Sequence, residues 1–483
     1  MAEAARSAAP RAIHYQRRRP EEGVLYQLVQ EYVETFFAEV QARTGSALPK
    51  FVRDEFDRYL ECGVLACGFL RLRCGACGHE KLVAFSCKGR GFCPSCGGRR
   101  MAETAAYLVD QVIPEVPVRQ WVLSFPMPLR LLFAAYPELL TPTLAIVHRE
   151  IRRFLVHKTG VRRGQTGAVT LVQRFGSAAN LNIHLHGLVL DGVYQSGKDD
   201  PVFHLANAPT PEELDAILQR IIHALMKRLT RSGHLHVEEE GSGYLSDLLG
   251  EGSADPGLST LQWASCTYRI AFGPNAGRSI LRRQDASRVA DTVKPGCVLR
   301  QGFSLHAGIR CRADQRRELE RLCRYISRPA LSHERVARSA GGDVILTLKT
   351  PWRDGTSHLT FTPLEFLQRL AALVPRPRLH LTRFHGVLAP NARLRRKVLP
   401  HTAADPEPGL QPPRRSARMG WATLLRRVFS VDLEQCPDCD GDLKLVAAIL
   451  DGTAVVKILT HLGLPARAPP RAPARMDAER DLA

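Results

Sequence analysis

No run of eighteen uncharged apolar residues occurs in this 483-residue chain, so no segment is expected to span a membrane. The N-terminus is Arg-rich, but no continuous apolar core follows it, and a secretion signal is not expected. A Walker-type phosphate-cradling loop is also missing, which argues against chemistry driven by nucleotide hydrolysis. No internal repeat points to a solenoid. Acidic residues are in deficit, 48 Asp and Glu against 67 Lys and Arg, a net charge of +19. That imbalance points to a polyanionic partner, with DNA the first candidate. Cysteine, by contrast, is present in an odd number, thirteen, and partly as Cys-x-x-Cys pairs. Without an export signal, such pairs read as metal ligands instead of a disulfide framework.

The length predicts several domains. Residues 1–20 are expected to form a mobile basic N-terminus, and 21–101 a helical segment leading into a zinc-binding module. Residues 102–400 are expected to form the main domain, 401–420 a Pro-rich linker, 421–463 a small module with a second Cys-x-x-Cys, and 464–483 a disordered tail. Apolar spacing from Gly23 to Tyr59 predicts two helices split near Gly45 and Pro49. Further helices are expected over 101–112, 137–158, 211–230 and 314–327. Strands are expected over 118–126, 168–175, 182–190, 267–272 and 302–311, with a strand pair at 344–349 and 358–361 around Asp354-Gly355.

Cys74-x-x-Cys77 and Cys93-x-x-Cys96 stand at the spacing of a four-thiolate zinc site, with Gly and Pro neighbours suited to tight knuckles. These four are therefore expected to share one structural Zn²⁺. Cys62, Cys67, Cys87 and His79 lie nearby; one could replace a ligand or serve a second ion, although buried thiols and a surface histidine are the plainer interpretation. Cys436 and Cys439 form half of a possible second zinc site, with His461 one option for completing it. Lys88 and Arg90 place positive charge on the module, as a DNA-docking surface requires.

In Asn182-Ile-His-Leu-His-Gly187, His184 and His186 occupy alternate positions of a predicted strand and so project from one face. Two imidazoles on one strand can chelate a divalent metal. Gln173, on the preceding strand of a predicted antiparallel hairpin, can reach the same face as an oxygen ligand. Such a set leaves positions open on Mg²⁺ or Mn²⁺ for a phosphodiester. A nucleophile is available in Tyr325. In its helix Leu319, Leu322, Cys323 and Ile326 define the buried stripe, and Tyr325 falls off it, beside Arg321 and Arg328.

Taken together, Phe85-Ser-Cys-Lys-Gly-Arg-Gly-Phe-Cys-Pro-Ser-Cys96, Asn180-Leu-Asn-Ile-His-Leu-His-Gly187, Arg321-Leu-Cys-Arg-Tyr-Ile-Ser-Arg-Pro329 and Phe384-His-Gly-Val-Leu-Ala-Pro-Asn391 resemble stretches of the rolling-circle, HUH-type transposases of bacterial insertion sequences. The resemblance is strongest to the ISCR-like, single-tyrosine members and covers roughly residues 25–460. It implies an α+β fold: an antiparallel-sheet endonuclease core with flanking helices, preceded by a small zinc-binding module. It also implies His184 and His186 as metal ligands and Tyr325 as the nucleophile that forms a 5′-phosphotyrosine on single-stranded DNA. Structural Zn²⁺ and catalytic Mg²⁺ or Mn²⁺ are the expected cofactors, and DNA, both element ends and target, the expected partner. A bacterial cytoplasmic location at the nucleoid is also expected, and a homodimer is one option for the oligomeric state. Two-tyrosine members carry a second tyrosine one helical turn earlier, where this chain has Arg321. Two other functions share many of these features: a plasmid relaxase or rolling-circle replication initiator, and a non-catalytic zinc-dependent DNA-binding regulator.

Overall fold

The computed structural model describes residues 13–14, 18–197, 200–237, 243–245, 255–285, 295–400, 431–432 and 434–475. The expected linker at 401–420 lies outside them, as do most of the N-terminal twenty residues.

Alternation of apolar and polar residues builds a six-stranded sheet, antiparallel at every pairing. Its order is Cys297–Arg300, Phe303–Cys311, Val118–Ser124, Leu181–Leu190, Gly167–Phe175, Thr382–Gly386. The histidine strand, Leu181–Leu190, thus lies inside the sheet with a partner on each side. It forms the expected hairpin with Gly167–Phe175, and in that register Gln173 stands directly opposite His184 and Leu171 opposite His186.

The period of two divides this sheet into two faces with different partners. Trp121, Leu123, Val172, Leu185 and Val189 pack beneath the helices Met127–Ala135, Leu140–Thr159 and Pro211–Arg231. Val118, Val169, Leu171 and Leu188 face Ala105 of the helix Pro94–Tyr107 and Leu319, Cys323 and Ile326 of the helix Arg316–Ser327. The stripe expected for the tyrosine helix is therefore its buried side, and the histidines share the sheet face that this helix covers.

A third core joins the N-terminal helices Val24–Thr44 and Lys50–Glu61 to the helix Pro363–Leu373 and to a second sheet. That sheet runs Leu281–Gln284, Thr356–Phe361, Val344–Thr347, Val336–Arg338 and contains the expected strand pair. The first long helix stops where Gly45 adopts φ of 70°, a left-handed cap that a residue with a Cβ resists.

Four expectations are corrected. The helix expected to begin at Met101 starts at Pro94, because proline in the first turn needs no hydrogen-bond acceptor and presets φ. The stretch 267–272 is not a strand: it follows a helix, Pro256–Cys266, and the Gln368 side chain takes the backbone N–H groups of Ala271 and Phe272 that a ladder would have used. The segment 421–463 is no separate module in its described part, since Leu443–Ile449 pairs with Phe69–Cys74 and completes a three-stranded sheet of the N-terminal region. The tail expected to be disordered from 464 packs on the first helix as far as it is described. There Arg471 pairs with Glu34 and Asp57, and Ala472 donates its N–H to the Gln30 carbonyl. No single helix among the described residues is long and apolar enough to cross a membrane.

Candidate active site and zinc centres

The cysteines form two four-sulfur sets: Cys62, Cys87, Cys93 and Cys96, and Cys74, Cys77, Cys436 and Cys439. Within the first set, the sulfurs of Cys62 lie 3.8 Å from Cys93 and 3.7 Å from Cys96, and Cys87 lies 3.3 Å from Cys96. Within the second, Cys74–Cys439 and Cys77–Cys436 are each 3.5 Å apart. Four thiolates about 2.3 Å from a tetrahedral zinc would stand about 3.8 Å apart, so both sets have the size of such a site. Four thiolates crowded this closely repel one another unless a cation joins them. Mutual hydrogen bonding already splits the first set, with Cys96 held well down by its sulfur neighbours and Cys87 and Cys93 pushed up by theirs and by burial. In the second, the backbone N–H groups of Cys77 and Ala76 bring the Cys74 thiol down to about 6.

The expected grouping of Cys74, Cys77, Cys93 and Cys96 around one ion is overturned. Cys74 and Cys77 sit at the tip of the hairpin Phe69–Cys74/Glu80–Ala84, whereas Cys87 to Cys96 follow its base. A five-residue strand places these ends roughly 17 Å apart, too far for one ion. The base pair is completed by Cys62 and Cys87, the tip pair by Cys436 and Cys439. His461 is not needed there; His79 lies at the edge of this second set, 2.7 Å from Asp438.

On the main sheet, His184 Nδ1 donates to the Asn182 carbonyl at 2.8 Å, which leaves the Nε2 lone pair available. His186 Nδ1 lies 3.0 Å from the Gln120 side-chain amide, while His186 Nε2 and Gln120 Oε1 are both buried without a partner. With the amide turned so that Oε1 accepts from Nδ1–H, the orphaned oxygen gains a donor and Nε2 presents its lone pair. Two imidazoles with ring centroids 4.8 Å apart, each with an Nε2 lone pair free, suit a divalent cation. No Asp, Glu or Cys joins the two histidines in a three-ligand group among the described residues. Gln173 spends its Nε2 on the Ile326 carbonyl at 3.0 Å, so its Oε1 is the atom it could offer.

Burial, ahead of the neighbouring charges, holds His184 down to about 4 and His186 down to about 3, with Arg328 adding to both shifts. Neutral imidazoles are the form a metal needs, and no proton has to be displaced near neutrality. The same shifts make the fold acid-sensitive. An unfolded histidine titrates near 6.5, so the stability these two contribute is complete above about pH 6.5 and is lost as pH falls toward 4. Thermal unfolding of the zinc-loaded protein, with no Mg²⁺ or Mn²⁺ added, should show a falling midpoint from pH 6.5 downward; a midpoint flat to pH 4 would contradict this assignment.

Tyr325 is 44% exposed, as its place off the buried stripe predicts. Arg328 lies over its ring at 4.4 Å from the centroid and Lys349 at 4.7 Å. Arg321, one turn earlier, is exposed, as are Lys88 and Arg90. Sequence reasoning missed Gln120 and Lys349. Gln120 had one signal, an amide inside a strand otherwise read as buried; Lys349 lies in the bend just after the strand Val344–Thr347 of the second sheet and had none.

Residues 29–125 match the family described as Zn_Tnp_IS91, "Transposase zinc-binding domain", and residues 167–396 match Y2_Tnp, "Putative transposase". No curated protein and no solved structure matches the chain. A zinc-binding domain ahead of an antiparallel-sheet transposase domain defines a DNA-cleaving class of enzyme. Over these two stretches, and in this order, the chain is similar to the IS91-like transposases.

Proposed function

We propose that this transposase nicks and rejoins single-stranded DNA through Tyr325, in rolling-circle fashion. One observation carries the proposal: the tyrosine helix is fastened to the histidine hairpin. Gln173, directly opposite His184, holds the Ile326 carbonyl next to Tyr325, and Arg328 sits against the tyrosine ring within electrostatic reach of both imidazoles. The Tyr325 oxygen attacks a backbone phosphorus, and the bond from phosphorus to the 3′ oxygen breaks. The phenol loses its proton to solvent, and the departing 3′ oxygen gains one. The 5′ phosphate remains on the tyrosine, preserving the bond energy for a later attack by a 3′ hydroxyl. Arg328 and Lys349 provide positive charge beside the attacking oxygen, where an oxyanion is favoured.

A Mg²⁺ or Mn²⁺ ion, held by His184 and His186 with Gln173 as a further oxygen donor, would supply Lewis-acid polarisation of the phosphate. Gln120 then acts as a positioning residue for the His186 ring. Gln120→Leu should weaken Mn²⁺ affinity about 10- to 100-fold, the usual cost of losing such a partner. Calorimetric titration of the unliganded protein measures it, and an unchanged affinity would remove Gln120 from the site.

Exposed Arg321, Lys88 and Arg90 are assigned to DNA contact, and Zn²⁺ to the two cysteine sets. Because Arg321 replaces the earlier tyrosine, one Tyr325 must serve twice or a second copy must provide its own. The deciding experiment mixes the protein with single-stranded oligonucleotides from an element end and Mn²⁺, then resolves products under denaturing conditions. A covalent adduct that requires Mn²⁺ and is lost in His184→Ala and His186→Ala supports the proposal. DNA binding without any adduct would favour the zinc-dependent regulator instead.

A further inference from the structure

Between the first cysteine set and the histidine hairpin lies a cavity walled by Arg90 and Arg100 from the zinc side, by Gln173 and Arg174 from the hairpin, and by Arg328 just after the tyrosine helix. Among the described residues, no Asp or Glu lines it. Arg174 is the unusual member. It is only 5% exposed, its Nε–H has no acceptor, and no carboxylate pairs with it among the described residues. The other buried arginines are provided for: Arg119 makes two bonds to Asp191, and Arg369 donates to the Ser265 carbonyl. Arg90 and Arg100 likewise spend donors on backbone carbonyls, Arg90 on Leu379 and Arg376, Arg100 on Gly89 and Lys88. Arg376 stands next to Arg174, and although it pairs with Asp255, its Nε is also buried without an acceptor. Burial, reinforced by Arg376 and Arg90, brings the Arg174 guanidinium down to about 10.

A buried guanidinium without an anion is costly, and several facing one carboxylate-free cavity are more so. Such an arrangement persists where a ligand supplies the missing charge, and guanidinium forks match phosphate oxygens in shape. We propose that this cavity binds a backbone phosphate of single-stranded DNA, one flanking the phosphate attacked by Tyr325. Arg328 bounds the cavity and also covers the tyrosine ring, so a strand whose phosphate sits on Arg174 passes the nucleophile as it leaves the zinc-binding region. The zinc domain and the nuclease sheet would then grip one strand jointly. The position relative to the attacked phosphate rests on the proposed nicking function; the phosphate site itself does not.

The test uses the full chain carrying Tyr325→Phe, so that binding is read without cleavage. Anisotropy of a labelled single-stranded oligonucleotide should show about tenfold weaker binding for Arg174→Gln, with the slope of log affinity against log salt smaller by about 0.7, the loss of one phosphate contact. Arg90→Gln, at the exposed mouth, should weaken binding in the same direction and guards against misfolding of the buried variant. Millimolar inorganic phosphate should raise the melting temperature of the parent and not that of Arg174→Gln. Unchanged DNA affinity and slope in both variants would overturn the proposal. So would a phosphate-dependent melting shift that needs Arg174 while DNA binding does not, since the site would then serve a free anion. Absence of any tyrosine adduct in the unsubstituted protein would defeat the nicking function and leave these binding results standing.

Discussion

Tyr325→Phe should abolish the covalent DNA adduct, with strand cleavage down at least roughly a thousandfold, the scale seen when a nucleophile is deleted. The substitution removes one oxygen from a side chain that is 44% exposed and whose ring, among the described residues, is covered by Arg328 and Lys349. Both contacts are to the ring, which phenylalanine keeps. Melting temperature, zinc content and oligonucleotide affinity should therefore stay at the parental level. That combination separates a nucleophile from a structural tyrosine. If the Phe variant retains its adduct, another residue carries the chemistry; if it loses stability as well, the apparent catalytic loss has a folding origin.

The second large effect concerns zinc. The protein should hold two Zn²⁺ per chain, and the two should differ sharply in what their removal does. Cys62, Cys93 and Cys96 are buried within the core that joins the N-terminal helices to the second sheet. Cys77 and Cys439 of the other set are exposed. A chelator should therefore strip the Cys74/Cys77/Cys436/Cys439 site first, and the inner site only slowly. Cys436→Ser should cost one zinc and leave residues 434–475 sensitive to protease, with the rest of the fold intact. Cys96→Ser should cost the other zinc and most of the soluble yield. Structural zinc contributes about 10–16 kcal/mol in small zinc domains, comparable to the whole stability of a typical domain. Metal analysis with limited proteolysis checks both, and a single zinc per chain in the unsubstituted protein would contradict the two-site arrangement.

The acid sensitivity of the histidine pair follows from the same sheet that makes it a metal site. A central strand buries whatever it carries, and burial favours the neutral imidazole. The expected metal affinity and the expected loss of stability below pH 6.5 therefore share one cause.

Local pattern was enough for the hairpin and its register-compatible residues. Alternation placed His184 and His186 on one face, and two strands close in sequence paired as predicted, which brought Gln173 opposite His184. Helical spacing likewise separated Tyr325 from Leu319, Cys323 and Ile326 before any packing was known. The cysteines show where pattern fails. Two Cys-x-x-Cys pairs at the usual spacing suggested one site, yet the hairpin between them holds them apart, and each closes with partners that spacing did not select.

The sequence alone therefore determined the chemistry-bearing strand, the flank of the tyrosine helix and the excess of positive charge, because each depends on neighbours within a turn or a pleat. Only the tertiary structure decided which sulfurs meet, with Cys74 and Cys439 brought together across 365 residues. It also decided that Gln120 holds His186, that Lys349, just past a strand of another sheet, covers Tyr325, and that Arg174 is buried with no carboxylate partner among the described residues. Those contacts are made between segments whose separation along the chain leaves no periodic trace, so they exist only once the sheets and helices have packed.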